Sequence, residues 1–212
     1  MRELLAAYQK YLNQRLPTLG FSLESPKKLA FAIQDLSNHY QTDEPTPWKN
    51  SATEAAYLSY FLPLNLLRLN AVCEIYRTQA PELLEDLEES PKVLDFGSGL
   101  GTTEWSLTQF LNLKPDFYFQ EISSIAISAH QKLRESLLKS MQVNSKANWN
   151  LAREKYHLGI FQTSLNETTD LPKELLKCDQ LLLIEAATHQ KARPLMEVRG
   201  RLIEGGYHLW AP

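Results

Sequence analysis

Residues 93–101 read Val-Leu-Asp-Phe-Gly-Ser-Gly-Leu-Gly, a short apolar run that carries one aspartate and passes into alternating glycines. Glycine is favoured where a backbone must take a positive φ or where a ligand touches the main chain. The pattern therefore predicts a buried strand that runs into a ligand-binding turn. The dinucleotide fingerprint Gly-x-Gly-x-x-Gly does not fit, because its last glycine would fall on Thr102 or Glu104.

The remaining pattern, Asp-x-Gly-x-Gly-x-Gly, resembles the first motif of the Rossmann-like methyltransferases that bind S-adenosylmethionine (SAM). The resemblance implies that the turn lies against the methionine part of the cofactor. It implies a cofactor-binding set that includes Asp95, Gly97, Ser98, Gly99 and Gly101. An ordinary glycine-rich turn between a strand and a helix is the alternative.

A second strand is expected after the glycine turn. A helical stretch at 102–113 ends before Pro115, and residues 117–120 read as a short buried strand that leads into Glu121. Folds of this kind place an acidic residue about 20 positions after the turn to bind ribose hydroxyls. We therefore expect Glu121 to bind the ribose, and the resemblance implies that Ile122 packs on the adenine. A solvated strand end is the alternative for Glu121.

The second half of the chain continues the alternation of strands and helices. Further strands are predicted at 157–162, 180–184 and 207–210. This order predicts an α/β fold with a Rossmann-like parallel sheet, whose ligand crevice opens at the carboxyl ends of the strands. Glu185 and Ala186 would then face the cofactor from the side opposite Glu121.

A complete sheet of this family has two strands more than the sequence predicts here. We expect the last two strands to be missing, either because the chain is a fragment or because the fold has lost its closing hairpin. An open sheet edge invites pairing with another chain, so a partner chain covering that edge is a further expectation.

The first part of the chain has a different pattern. Helical spacing of apolar residues predicts helices near 4–12 and 26–36 and a longer one at 54–76, kinked at Pro63. We predict a helical lead domain at 1–89 and a SAM-binding domain at 90–212.

Residues 55–69 read Ala-Ala-Tyr-Leu-Ser-Tyr-Phe-Leu-Pro-Leu-Asn-Leu-Leu-Arg-Leu. This stretch resembles the Tyr-x-x-Tyr-x-x-Pro-x-Asn segment of the methyltransferase-like proteins of the small ribosomal subunit, which occur in mitochondria and many bacteria. The resemblance implies a role in ribosomal RNA methylation or subunit assembly, with Tyr57 and Tyr60 facing the substrate. Plain packing of these rings on the sheet domain is the alternative.

Two family features are absent from this sequence. The cysteine cluster that holds an iron–sulfur centre in many members has no counterpart, so no metal site is assigned. The strand before Glu185 also lacks the Asn-Pro-Pro-Tyr motif that holds a planar nitrogen in amino-group methyltransferases. Glu185 and His189 are the candidates for a catalytic base.

Charge gives a mixed indication of the partner. The net charge is −3, which offers no overall attraction to nucleic acid. Basic residues nevertheless predominate between 132 and 155, and Lys132, Arg134 and Lys139 are predicted to face RNA. A solvated helix face is the alternative.

No run of 18 apolar residues or secretory signal is visible, so we expect a protein of the cytoplasm, or of the mitochondrial matrix in a eukaryote. Two alternatives to an RNA methyltransferase stay open. One is a catalytically inactive SAM-binding assembly factor, and the other is a small-molecule methyltransferase with a helical lid.

Overall fold

The computed structural model describes residues 2–42, 44–85, 87, 90–111, 113–140, 145–150, 155–164, 172–185 and 189–210. Its first part is helical, as predicted. The helices are α1 (Arg2–Thr18), α2 (Pro26–His39), α3 (Ser51–Ala56), a π-helical turn (Tyr57–Phe61), α4 (Leu62–Gln79) and α5 (Pro81–Glu85).

The interruption predicted at Pro63 is this π-helical turn. Proline has no N–H to donate, and its ring collides with the carbonyl of the preceding helical turn. The wider turn ends at Phe61, two residues before Pro63, and the N–H of Leu62 donates to the carbonyl of Tyr57. Its extra residue keeps the helical path continuous from α3 into α4.

The second part forms a five-stranded, all-parallel sheet in the order β3-β2-β1-β4-β5, which confirms the predicted α/β Rossmann-like class. The strands are β1 (Lys92–Phe96), β2 (Asp116–Gln120), β3 (Lys146–Asn148), β4 (Tyr156–Gln162) and β5 (Cys178–Ile184). The helices are α6 (Thr102–Phe110), α7 (Ser124–Ser140) and α8 (His189–Glu204), with a short 3₁₀ helix at Lys173–Lys177. Order reverses between β1 and β4, where parallel sheets bind ligands.

The prediction of a strand at 207–210 is wrong. These residues follow α8 and pair with no strand, and the Tyr207 hydroxyl donates to the Cys178 carbonyl at 2.6 Å. The aromatic residues of this segment are typical of a strand. The Tyr207 ring instead holds the segment beside the start of β5. The fifth strand is instead β3, which the prediction missed because its three residues are largely polar.

The helical first part packs directly on the sheet's helices. One buried cluster joins Leu16 of α1 and Leu58 of the π-helical turn to Trp105 of α6 and Leu133 of α7. A second cluster joins α4 to the sheet itself. This packing brings the segment between α2 and α4 over the carboxyl ends of β1, β2 and β4. The predicted boundary at residue 89 stays a prediction.

Candidate functional site

The glycine turn follows β1 at the point where the strand order reverses. Gly97 has φ +66° and Gly101 has φ +77°, a left-handed conformation that favours glycine. A methyl group at Gly97 would lie 2.3 Å from Ser164 Cβ, and one at Gly101 would lie 1.9 Å from His130 Nε2. Both glycines are therefore required by backbone conformation and by close neighbours together.

Glu121 connects the end of β2 to the glycine turn. Its Oε2 accepts a hydrogen bond from the Gly99 N–H at 3.0 Å, and its Oε1 accepts one from the Ser123 N–H at 2.8 Å. The carboxylate is thus fixed beside the turn, and each oxygen retains a lone pair for a ligand. Ile122 is 87% exposed next to it. The structure brings these predicted residues together at one edge of the sheet.

Asp95 lies beneath the turn and does not line the cleft described below. It is 3% exposed, and its Oδ1 accepts a hydrogen bond from the Thr103 hydroxyl at 3.1 Å. Its Oδ2 has no partner within the described ranges. Burial raises the pKa of Asp95 to about 7, against the lowering effect of Thr103. Ser98 is also buried and outside the cleft lining.

A buried charged network supports the turn from behind. Arg134 Nε donates to Glu104 Oε1 at 2.9 Å, and its second nitrogen donates to the Ser145 carbonyl at 2.7 Å. His130 Nε2 lies 3.6 Å from Glu104 Oε2. Burial alone would raise the pKa of Glu104, but His130 and the Arg134 guanidinium outweigh it and hold the pKa below its ordinary value.

The basic residues predicted to face RNA therefore divide into two kinds. Arg134 uses its guanidinium to neutralise Glu104 inside the protein, and its side chain is only 19% exposed. Lys132 and Lys139 are exposed on α7. These two lysines are the ones that the fold presents to solvent.

The end of β4 lies closer to the glycine turn than the sequence predicted. β4 pairs with β1, and β5 is one strand farther away, so Gln162 rather than Glu185 occupies the adjacent strand end. Thr163 has φ +56°, which is uncommon for a residue with a side chain. The Ser164 hydroxyl donates to the Phe96 carbonyl at 2.7 Å, which ties this bend to β1.

These elements enclose a cleft of about 370 Å³. Aromatic rings form its helical wall, and strand ends form the opposite wall. The lining residues are Ser37, Tyr40, Thr42, Glu44, Thr46, Trp48, Tyr57, Phe61, Asn65, Arg68, Phe96, Gly97, Gly99, Gln120, Glu121, Ile122, Gln162, Thr163, Ser164 and Glu185. Tyr57 lines the cleft, whereas Tyr60 is outside the lining and 46% exposed, and a substrate-facing role for either stays a prediction.

Charged side chains make the described cleft lining acidic. The lining contains three carboxylates, from Glu44, Glu121 and Glu185, and one cation, Arg68. An acidic, partly enclosed lining favours a ligand with positive charge.

The candidates for a catalytic base have different positions. Glu185 lines the cleft directly after β5. His189 begins α8, but its side chain lies outside the described part of the structure, as does the whole of Ala186. Glu185 is the candidate that the described geometry places at the site.

The described ranges show neither a metal-binding cluster nor a membrane-spanning helix. They contain no group of three or more histidine, cysteine or acidic side chains arranged to hold a metal ion. None of the helices described is both long enough and apolar enough to cross a membrane.

No protein-family model matches the chain, and no curated protein matches it. Among solved structures, it is similar to PH1948, a candidate RNA methyltransferase from Pyrococcus horikoshii, with 13% identity, 79% coverage of each chain and a TM-score of 0.40. It is also similar to the plantazolicin methyltransferase BpumL in complex with a monoazolic desmethylPZN analogue and S-adenosylhomocysteine (SAH). There the identity is 14%, the coverage is 80% of this chain and 56% of that one, and the TM-score is 0.34. Identities and TM-scores this low do not identify the ligand of this chain.

Proposed function

We propose that the protein binds SAM and belongs to the SAM-dependent methyltransferases. The observation that carries this proposal is the joining of Glu121 to Gly99 at the strand-order reversal, because it sets a ribose acceptor beside a turn whose Gly97 and Gly99 carry no side chain of their own. A dinucleotide turn would need a third glycine at 102 or 104, and those positions hold Thr102 and Glu104.

The charge of the cleft supports the same ligand. SAM carries a positive sulfonium, and the cleft contains three carboxylates against one guanidinium. The Glu121 carboxylate would hold the ribose hydroxyls, and the exposed Ile122 would cover the adenine. The backbone of Gly97 and Gly99 would lie against the methionine part.

Bound SAM supplies an electrophilic methyl group, so the protein has mainly to align an acceptor with it. The aromatic wall and the ends of β4 and β5 define where an acceptor can enter. The Glu185 carboxylate would take a proton from an acceptor that must lose one, because it lines the cleft directly after β5.

For the acceptor we propose RNA, specifically RNA of the small ribosomal subunit, as the resemblance of residues 55–69 implies. The exposed Lys132 and Lys139 on α7 support this, because α7 begins beside the cleft and its lysines could hold phosphates while a nucleotide reaches the site. A role in subunit assembly without turnover would use the same surface.

A small-molecule acceptor beneath a helical lid is the second candidate function. The residues between α2 and α4 supply one complete wall of the cleft, and the acidic lining opposes phosphate groups inside it. This candidate function and RNA methylation share the cofactor. They differ in whether a small molecule or a nucleotide of RNA enters the cleft as the methyl acceptor.

Transfer of labelled methyl groups tests the proposal. The protein is incubated with tritiated SAM and either purified small-subunit RNA or a small-metabolite extract, with Glu121→Ala as the inactive control. Label in RNA that depends on Glu121 supports RNA methylation, and label in the small-molecule fraction supports the lid function. SAM binding without transfer to either supports the assembly role.

A further inference from the structure

The helical wall of the cleft is a continuous line of aromatic rings. The Tyr40 and Phe61 centroids are 5.0 Å apart, those of Phe61 and Tyr57 are 6.2 Å apart, and those of Tyr57 and Trp48 are 5.0 Å apart. All four rings line the cleft. Aromatic faces of this kind stack on flat ligands.

The line has an inner and an outer end. The Tyr57 oxygen lies 3.3 Å from where a Cβ on Gly99 would be, and Trp48 also approaches that position. The inner end therefore covers the glycine turn, where the cofactor is proposed to lie. Tyr40 and Phe61 form the outer end, toward a mouth marked by the exposed Thr42 and Arg68.

The side-chain oxygen of Gln162, at the strand ends that form the other wall, has no hydrogen-bond donor in the described part of the structure. Gln162 is only 9% exposed and lines the cleft. Its Nε2 donates to the Asn65 carbonyl at 2.8 Å, and this bond fixes which way the amide faces, because an oxygen there would repel the carbonyl. Its Oε1 then has no donor among the residues that the structure describes. A buried acceptor without a donor is costly, so this position calls for an N–H or O–H group.

From these two observations we infer that the outer cleft is an acceptor subsite for a flat, amino-bearing nitrogen heterocycle such as a nucleobase. The ring stacks on Phe61, whose plane lies at 83° to that of the neighbouring Tyr40, and its N–H donates to Gln162 Oε1. This subsite rests on the proposed function, since it holds the acceptor beside the bound cofactor. It selects the acceptor by shape and by one hydrogen bond.

The probe is 2-aminopurine riboside, whose fluorescence falls when its base stacks, added to the protein saturated with SAH. Purine riboside, which lacks only the amino group, is the matched ligand. We expect quenching by the protein and at least roughly fivefold tighter binding of the amino-bearing probe. Phe61→Leu should weaken that probe by roughly fivefold or more, because a stacking face is lost.

Two variants separate the subsite from general damage. Phe31→Leu removes an aromatic ring that is 77% exposed on α2 and outside the cleft lining, so it should bind the probe like the wild type. Gln162→Met should bring the affinity for 2-aminopurine riboside down to that for purine riboside, with SAH affinity kept within about twofold.

The source of the base is distinguished by a second arm, in which 2-aminopurine is placed in a single-stranded RNA pentamer. Tighter binding of the pentamer than of the riboside identifies RNA as the source, and equal or weaker binding identifies a free heterocycle. Saturable SAH binding with no quenching, or quenching that Phe61→Leu leaves unchanged, overturns the subsite alone. Failure of SAH itself to bind overturns the proposed function and the subsite with it.

Discussion

Asp95→Asn should change how the stability of the protein depends on pH. Burial raises the pKa of Asp95 from its ordinary 3.8 to about 7. Between these values the native protein binds more protons than the unfolded chain, so its free energy of unfolding falls as the pH rises. Each pH unit in this window costs about 1.4 kcal/mol, so ionised Asp95 destabilises the native state by an amount on the order of 4 kcal/mol near pH 8.

Asparagine keeps the shape and an oxygen for Thr103 but carries no charge, so the variant avoids this cost. The stability difference between Asp95→Asn and the wild type should therefore grow by about 3 kcal/mol between pH 5 and pH 8 in favour of the variant. The negative charge of the buried Glu104 also raises the pKa of Asp95, so its repulsion of an ionised Asp95 is part of the cost that the variant avoids. Urea unfolding of the ligand-free protein at several pH values measures the difference.

Asp35→Asn provides the control, because Asp35 is exposed on α2 and the substitution changes net charge equally. Its stability difference from the wild type should stay nearly constant with pH. If the free energy of unfolding of Asp95→Asn also ran parallel to that of the wild type from pH 5 to pH 8, burial would not raise the pKa of Asp95.

Three further predictions test the site and its surroundings. Glu121→Ala should weaken SAM binding by roughly 1–3 kcal/mol, measured by calorimetry, because the ribose hydroxyls and the Gly99 N–H lose their hydrogen-bond acceptor. An unchanged affinity would show that Glu121 does not bind the ligand. Gly101→Ala should destabilise the protein through its φ of +77° and its collision with a buried histidine, whereas Gly200→Ala, at an open helical position, should stabilise it by about 0.4–1 kcal/mol in urea unfolding. Replacing Lys132 and Lys139 together by glutamine should make the fall of log affinity with log salt less steep, by roughly 1–2 in the slope, for a small-subunit RNA fragment. An identical slope would exclude both lysines from phosphate contact.

The RNA prediction has its own control in Lys10→Gln. Lys10 is exposed on α1, so the substitution removes a positive charge from a helix other than α7. It should leave the salt dependence close to that of the wild type. An equal fall in slope for Lys10→Gln would show that only the total charge matters.

The sequence predicts the strands of this fold where an apolar run marks them. β1, β2, β4 and β5 carry such runs, although most residues of the edge strand β5 are only half-buried. β3 is too short and polar to show a pattern, and 207–210 has strand-like residues without a partner strand.

The site divides in the same way. Gly97, Gly99 and Glu121 could be predicted because a local turn and a fixed spacing to the next strand determine them. Gln162 was missed because the order of strands in the sheet, which places β4 beside β1, has no local signature. The aromatic wall likewise depends on how α1 and the π-helical turn pack on α6 and α7, and separate segments of sequence do not show this.

Calorimetric titration of the wild-type protein with SAM, SAH and a nicotinamide dinucleotide tests the central claim most directly. The geometry around Glu121 and the glycine turn predicts saturable binding of SAM and SAH and none of the dinucleotide. Binding of the dinucleotide without binding of SAM or SAH would contradict it.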